Sequence, residues 1–301
     1  MIDNRVASDL QLLHDVVLAM WFDCPAPGPD FRNLYCHRRS FPLAFDAPFG
    51  IAGPMILDLG ILRVLLSNWT AIQSVMSTEQ PTRLILDYTR VIVAGLLLHP
   101  APRRIEMIGL GGGSIVKFCH RYIPDCAITA VEIDPKVLAL RRHFDIPEDD
   151  TRLRVVCADG YDFVEADPGR PDVLIIDGFD HRGRSGRLAS RSFFDRCRER
   201  LGEGGLLVVN LSGGWFQSSR FAAKLWACFD GQVLMVPDAA RRNRIAIASS
   251  MPGFRAYAAA FRTPAESHQY PWLDLPTIAG RIATVAGAVQ DTRSGNDQGL
   301  P

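Results

Sequence analysis

The chain has 301 residues, 48% of them hydrophobic, and its 33 basic side chains balance its 33 acidic side chains. This length accommodates one large domain, or a main domain with a smaller attachment. A net charge of zero provides no electrostatic basis for binding nucleic acid or an anionic membrane. The longest apolar run, residues 91–98, is too short to span a bilayer. We therefore expect no nucleic-acid partner and no membrane association.

The first hundred residues combine a helical pattern with strand-like runs. Apolar residues recur at helical spacing over residues 10–20 and are interrupted by Asp15, which indicates an amphipathic helix rather than a secretory signal. Residues 54–66 predict a hairpin or two short strands. Residues 87–98 predict a helix that stops before Pro100.

From residue 101 to about residue 250, strand-like and helix-like segments alternate with short connections. Strands are expected near residues 105–109, 128–132, 153–157, 172–176, 205–210, 231–236 and 243–249. Helices are expected near residues 114–122, 135–143, 190–201 and 216–228. This alternation is typical of a parallel sheet that is covered on both faces. We predict an α/β fold: a Rossmann-like, doubly wound, mostly parallel seven-stranded sheet with a small N-terminal β-containing region.

A glycine-rich turn separates the first of these strands from its helix. The turn contains Gly109, Gly111, Gly112 and Gly113. The next strand ends at Glu132, whose carboxylate can accept hydrogen bonds from both hydroxyls of a ribose. Strand, glycine turn, helix, strand and acid in this order are typical of a nucleoside-binding βαβ unit. A tight turn without a ligand, and an NAD site, would share this layout.

Two later strands also end in acids. Asp159 and Gly160 follow the third strand, and Asp177 ends an apolar strand. Since ligands of open parallel sheets bind beyond the carboxyl ends of the strands, we expect Glu132, Asp159 and Asp177 to converge beside the glycine turn. Each acid taken alone could instead cap a helix or a turn.

The seven cysteines are scattered, and no two form a C-x-x-C motif. Cys36 and His37 are adjacent, but no second pair stands at a zinc-binding spacing. We therefore expect no metal site. Cysteines used as small apolar residues are typical of a reducing compartment, which predicts a cytoplasmic protein.

Residues 56–250 resemble the spermidine synthase (polyamine aminopropyltransferase) family, within the S-adenosylmethionine-dependent methyltransferase superfamily. The similar segments are the glycine turn over residues 108–114, the acid segment over residues 131–134, the pair Asp159 and Gly160, the D-x-x-D segment from Asp177 to Asp180, and Gln73 and Tyr88 in the N-terminal β-region. The combination is specific, although each motif alone is not.

The resemblance implies a transferase that uses S-adenosylmethionine or its decarboxylated form to alkylate a small amine, without a metal. Asp177 would orient the amine and accept or relay its proton, and Asp180 could bind the same ammonium. Tyr88 would close the pocket, and Gln73 would contact the cofactor. Because family members often dimerise, the resemblance also allows a homodimer.

Composition and element patterns predict a division of the chain into three regions. Residues 1–100 would form an N-terminal helix and a β-region that covers the pocket as a lid. Residues 101–250 would form the Rossmann-like nucleoside-cofactor domain. Residues 251–301 would be a C-terminal extension, whose polar tail from about residue 290 has a composition typical of disorder.

The chain departs from the family pattern around the substrate pocket. Gly112 stands where polyamine synthases carry an aspartate for the aminopropyl ammonium, and Arg90, Arg182 and Arg184 replace neutral or acidic positions. We therefore expect putrescine, a dication, to be a poor acceptor unless Arg90 turns away and pairs with Asp87. These changes would suit a cofactor or substrate with a carboxylate. A methyltransferase on the same fold and a non-catalytic nucleoside-binding protein remain alternatives.

Overall fold

The structure is a computed structural model that describes residues 53–68, 71–166, 169–178, 186–212, 215–239, 241, 243–261 and 273–287. The predicted N-terminal helix, the basic loop that contains Asp180, and the C-terminal tail lie outside these residues. The described residues from Pro54 onward belong to one compact unit. The proposed domain boundaries near residues 100 and 250 stay predictions.

Strands and helices alternate along the chain from residue 104 to residue 228. The strands are β1 (Met55–Leu59), β2 (Leu62–Asn68), β3 (Ala71–Ser77), β4 (Arg104–Ile108), β5 (Ala127–Glu132), β6 (Leu153–Cys157), β7 (Val173–Ile176), β8 (Leu206–Ser212), β9 (Val233–Pro237) and β10 (Asn243–Ser249). The α-helices are α1 (Asp87–Leu96), α2 (Ser114–Tyr122), α3 (Pro135–Ala139), α4 (Gly160–Ala166), α5 (Arg191–Arg200), α6 (Trp215–Cys228), α7 (Phe254–Ala259) and α8 (Leu275–Gly287). Short 3₁₀ helices span Arg141–Phe144 and Gly186–Ala189.

Seven strands form the main sheet in the order β6-β5-β4-β7-β8-β10-β9. The first five of these are parallel, and β10 runs antiparallel to both β8 and β9. The predicted mostly parallel, doubly wound α/β sheet is thus confirmed. The strand order reverses between β4 and β7, and this switch point is where an open α/β sheet forms a ligand crevice.

The central strands are buried on both faces, which explains their continuous apolar runs. In β7, Val173 and Ile175 pack into one hydrophobic cluster, whereas Leu174 and Ile176 pack into the other. The first cluster contains side chains from α1, α2 and α8, and the second contains side chains from α4, α5 and α6. Packing on both faces of the sheet therefore holds β4 and β7 in place. The residues that directly follow these strands are positioned with them.

A second, antiparallel sheet contains β1, β2 and β3. The predicted hairpin corresponds to β1 and β2. In the pairing of β2 with β3, Leu65 lies opposite Ser74 and Leu66 lies opposite Ile72, so Gln73 is the extra residue of a β-bulge. Bulges redirect side chains and often occur beside active sites.

Sequence patterns missed several elements of the structure. The third strand of the small sheet, the helix α4, and the C-terminal helices α7 and α8 were not predicted. The helix expected over residues 135–143 is divided, because α3 ends at Ala139 and a 3₁₀ turn follows. Within the described ranges, none of the helices is both long and apolar enough for a membrane crossing.

Candidate active site

The glycine turn follows β4 and lies against the end of β7. Gly109 has a φ of +93°, and a side chain there would collide with the backbone carbonyl of Asp177. Asp177 N donates to Ile108 O at 2.8 Å, which joins the two segments, and Gly109 N donates to Val131 O of β5 at 2.8 Å. Glycine at this position is what allows the turn to approach Asp177.

Glu132 faces the same turn from the end of β5. Its Oε2 accepts hydrogen bonds from Leu110 N at 3.0 Å and from Gly111 N at 3.4 Å, and its Oε1 accepts one from Asp134 N at 3.0 Å. The side chain is 9% exposed. An ionised carboxylate can accept about four hydrogen bonds, so this arrangement leaves capacity for a hydroxyl ligand.

Gly112 and Gly113 lie at the start of α2 and pack tightly. A Cβ atom at Gly112 would stand 2.5 Å from Ser74 Oγ and 3.1 Å from a ring carbon of Phe144. Ser74 Oγ is also 3.3 Å from Ser114 Oγ, which ties β3 to the first residue of α2. Ser74 thus occupies the space into which a larger residue at position 112 would extend.

Gln73 carries an unsatisfied polar atom in this region of the small sheet. Its Oε1 is buried and has no hydrogen-bond partner among the described residues. A buried acceptor without a partner costs about 1–3 kcal/mol, so such atoms in native proteins call for a ligand or another explanation.

Asp159 and Gly160 have structural contacts. Asp159 Oδ1 accepts hydrogen bonds from Tyr161 N at 2.7 Å and from Asp162 N at 3.3 Å, which caps α4. Gly160 packs against Ile108, and a side chain there would collide with that residue. The helix-cap interpretation therefore accounts for one carboxylate oxygen of Asp159, and a cofactor role for this pair stays a prediction.

Asp177 lies at the switch point, where three elements meet. Its Oδ1 accepts a hydrogen bond from Asn210 Nδ2 at 2.8 Å, and its Oδ2 accepts one from the Tyr88 hydroxyl at 3.5 Å. Asn210 belongs to β8 and Tyr88 belongs to α1. The structure thus brings together Tyr88 and Asp177, which the sequence places 89 residues apart.

The surroundings of Asp177 favour its neutral form. Burial raises the pKa of Asp177 to about 6, and the hydrogen bonds from Asn210 and Tyr88 oppose this rise. The nearby negative charge of Glu132 raises the pKa further. Burial, together with the charge of Asp177, raises the pKa of Tyr88 well above its usual value. A partly protonated acid near neutral pH is suited to exchange a proton with a substrate.

Arg90 donates hydrogen bonds to two backbone carbonyls of the segment that precedes α1. Its Nε donates to Leu84 O at 2.9 Å and its Nη2 donates to Ile85 O at 3.3 Å. Asp87 instead contacts Arg281 at 3.3 Å. These two bonds hold the Arg90 guanidinium against the segment that precedes α1, and the expectation that putrescine is a poor acceptor stays a prediction.

Sequence reasoning missed Ser74 and Asn210 in this site. Asn210 is a polar residue inside the apolar run of β8, one position beyond the residue paired with Ile176. That interruption was a usable signal, because a polar side chain in a buried strand must find partners. The loop that contains Asp180, Arg182 and Arg184 lies outside the described residues. Among the residues that are described, no cluster of three or more metal-ligating side chains occurs.

The sheet, the glycine turn and the acids at the switch point define the class of the protein. It has the Rossmann-like fold of S-adenosylmethionine-dependent methyltransferases, in which an adenosyl group lies across the strand ends. Comparisons with known proteins identify the family within this class.

Residues 86–226 match the model of the spermine/spermidine synthase domain. A polyamine aminopropyltransferase of Chromobacterium violaceum is 35% identical over 189 residues, which cover 62% of this chain and 72% of that protein. A polyamine aminopropyltransferase of Neisseria meningitidis is 34% identical over 190 residues, with the same coverage of 62% and 72%.

A similar fold occurs in a probable spermidine synthase from Corynebacterium glutamicum. Its crystal structure superposes with a TM-score of 0.59 at 21% identity, covering 70% of this chain and 85% of that one. The sequence relatives decide the family, and this structure agrees in fold. The chain belongs to the spermine/spermidine synthase family.

Proposed function

We propose that this chain transfers an aminopropyl group from decarboxylated S-adenosylmethionine to a small amine. The observation that carries the proposal is Asp177, a partly buried carboxylate that lies beside the glycine turn and has only neutral hydrogen-bond partners in the described structure. Such a site is suited to a cationic or proton-donating substrate. Family membership supports a transferase of spermidine-synthase type.

The glycine turn and its neighbours fit an adenosyl cofactor. A side chain at Gly111 would meet no atom within 4 Å, so open space lies in front of this part of the turn. We propose that Glu132 accepts hydrogen bonds from the ribose hydroxyls with its remaining lone pairs, and that the unsatisfied Gln73 Oε1 accepts one from the cofactor. Gly109 and Gly113 belong to the backbone turn that would surround the cofactor. Asp159, through its second oxygen, and Gly160 are proposed to line the adenine side.

When bound, this cofactor supplies an sp³ carbon whose sulfonium is a strong leaving group. The protein's task is then to position an amine in line with that carbon and to take its proton. We propose that Asp177 orients the amine and accepts the proton, since its pKa of about 6 leaves it mostly ionised at neutral pH. The Tyr88 hydroxyl would hold the second carboxylate oxygen. Asp180 is proposed to bind the same ammonium.

The part of the site near Gly112, which would hold the non-adenosyl end of the donor, supports a second candidate function. At Gly112 the family has an aspartate for the aminopropyl ammonium, and here Ser74 fills the corresponding space. The side chains beside Gly112 are thus those of Ser74 and Ser114, whose hydroxyls lie 3.3 Å apart, with no carboxylate at position 112. This arrangement favours a donor that carries its own carboxylate, as S-adenosylmethionine does, and would make the chain a methyltransferase.

A product assay separates these functions. The purified chain is incubated with either decarboxylated S-adenosylmethionine or S-adenosylmethionine, together with 1,4-diaminobutane or 1,3-diaminopropane, and the products are identified by mass spectrometry. We expect methylthioadenosine and an aminopropylated amine from the decarboxylated donor. S-adenosylhomocysteine formed only from the intact donor would establish methyl transfer instead. Binding without any product from either donor would identify a non-catalytic nucleoside-binding protein.

A cytoplasmic location and a homodimer remain parts of this proposal. The five cysteines in the described residues are free thiols, and four of them are buried. Free, buried cysteines are typical of proteins in a reducing compartment.

A further inference from the structure

Asn210 is a buried polar residue that the family motifs discussed above do not include. It is 4% exposed and lies on β8, between the apolar residues Val209 and Leu211. In the parallel pairing of β7 with β8, Ile176 lies opposite Val209. Asn210 and Asp177 are thus neighbours, each one residue beyond the pair of Ile176 and Val209.

Of the two polar atoms of the Asn210 amide, one has a hydrogen-bond partner among the described residues and the other has none. Its Nδ2 donates to Asp177 Oδ1 at 2.8 Å. Its Oδ1 is buried and has no hydrogen-bond partner among the residues that the structure describes. The bond to Asp177 fixes which amide atom is the donor, because an ionised carboxylate can only accept.

A buried amide oxygen without a hydrogen-bond partner carries an uncompensated desolvation cost. A donor from the substrate would remove that cost. The donor must also suit the neighbouring carboxylate, and an amine nitrogen with several N–H bonds satisfies both acceptors at once.

We propose that Asn210 is a second binding group for the acceptor amine, with its Oδ1 accepting an N–H of the attacking nitrogen while its Nδ2 holds Asp177 in place. This inference rests on the transferase function proposed above. Two acceptors on adjacent strands orient the nitrogen in a way that one carboxylate cannot.

The reaction step then balances as follows. Asp177 takes a proton from the ammonium, which frees the nitrogen lone pair. A second N–H remains bound to Asn210 Oδ1, so the lone pair points away from the strand ends. The nitrogen forms a bond to the donor carbon, the carbon–sulfur bond breaks, and the sulfur keeps the electron pair and leaves as a neutral thioether.

The two polar atoms of Asn210 have separable effects. Its Nδ2 lowers the pKa of Asp177, whereas burial and the charge of Glu132 raise it, and Tyr88 donates the other hydrogen bond. Loss of Nδ2 should therefore move the acidic limb of the pH–rate profile to higher pH. Loss of Oδ1 should weaken amine binding.

Two variants of similar side-chain size separate these effects in the full chain. Asn210→Leu removes both atoms, and Asn210→Asp keeps an acceptor oxygen but replaces the amide donor with a second carboxyl group, whose charge also raises the pKa of Asp177. Ser249→Ala is the control, since Ser249 is a buried polar residue at the opposite end of the β8–β10 pairing and donates to Gly205 O at 3.1 Å. Calorimetry with methylthioadenosine verifies that each variant is folded and binds the nucleoside.

Calorimetry with 1,4-diaminobutane and 1,3-diaminopropane in the presence of methylthioadenosine measures amine affinity, and steady-state kinetics measure KM, kcat and the pH profile. We expect Asn210→Leu to weaken amine binding and raise KM by about tenfold or more. Asn210→Asp should keep most of the amine affinity and shift the acidic limb upward. Ser249→Ala should match the wild type in both readouts.

Wild-type amine affinity and an unshifted pH profile in both Asn210 variants would overturn this inference and leave the proposed function intact. Amine binding that is lost in Asn210→Leu, in a wild type that forms no transfer product, would support amine binding and contradict the transferase function. A wild type that binds neither amine would overturn both.

Discussion

Two acids on neighbouring strands of the sheet have opposite surroundings. Glu106, in β4, is 9% exposed and accepts two hydrogen bonds from the Arg200 guanidinium, at 2.6 Å from Nε and 3.1 Å from Nη2. Asp177, at the end of β7, accepts its hydrogen bonds from Asn210 and Tyr88, which are both neutral. Within the described residues, no basic side chain forms an ion pair with Asp177.

The difference separates an acid that supports the fold from an acid that is available to a ligand. Arg200 compensates the charge of Glu106 inside the core, and its guanidinium also stacks 4.6 Å from the ring of Phe163. Asp177 has no such compensation, and burial raises its pKa to about 6. An acid without a cation at a strand end is therefore the place where a cationic substrate gains most.

The largest effect is expected from breaking the compensated pair. Glu106→Gln keeps the shape of the side chain but removes the negative charge that faces the buried Arg200 guanidinium, which should cost about 3–5 kcal/mol of unfolding free energy. Urea unfolding followed by circular dichroism measures this cost. The folded fraction should retain its affinity for the adenosyl cofactor. A stability equal to that of the wild type would remove the distinction between the two acids.

Asp177→Asn should act on catalysis rather than on the fold. The substitution removes the group that orients and deprotonates the amine, so turnover should fall by about a hundredfold or more. This corresponds to roughly 2.7 kcal/mol of activation free energy. Cofactor affinity should change less than turnover, and the variant should unfold at no lower a urea concentration. Wild-type turnover with the true substrate would make Asp177 a structural residue.

Glu132→Ala should weaken binding of the adenosyl cofactor by at least about tenfold, or roughly 1.4 kcal/mol, because the ribose hydroxyls lose their acceptor. Calorimetry with S-adenosylmethionine and its decarboxylated form measures the change. Glu148→Ala is the matched control, since Glu148 pairs with Arg142 on the surface at 3.1 Å. An unchanged affinity in Glu132→Ala would remove the cofactor assignment of this acid.

The smallest effect concerns stability against pH. Since the folded pKa of Asp177 is raised from 3.8 to about 6, its contribution to stability is present at low pH and is lost as pH rises through 6. Between pH 5 and pH 7, the wild type should lose about 1 kcal/mol relative to Asp177→Asn. Urea unfolding at several pH values measures the difference. A constant difference over this range would mean that Asp177 titrates outside it.

The parts of the site that sequence predicted are those that local patterns encode. Gly109 and Glu132 follow apolar strands at fixed positions, so the parallel sheet necessarily places them at one edge. Ser74 and Asn210 escaped prediction because their roles depend on which strands are neighbours in space. Arg90 was assigned to the pocket from its position beside Tyr88, but its orientation is set by carbonyls of the preceding segment.

The fold, like the site, has parts that local sequence patterns predict and parts that they do not. Repeated strand and helix patterns were sufficient for the main sheet, because each βα unit is local. The helix α4 was missed although its cap, Asp159, was noted, since the same acid also fitted a ligand site. The β-bulge at Gln73 depends on pairing between β2 and β3, which no local pattern reports.

The most direct test of the contrast between the two acids is a carbon-13 NMR titration of the Asp177 carboxyl, with the resonance assigned by its absence in Asp177→Asn. We predict a pKa of about 6 in the free protein. With methylthioadenosine present, saturating 1,4-diaminobutane or 1,3-diaminopropane should lower that pKa by about one unit or more, because the bound cation favours the ionised carboxylate. A pKa near the ordinary value of 3.8 in the free protein, unchanged by either amine, would contradict the account.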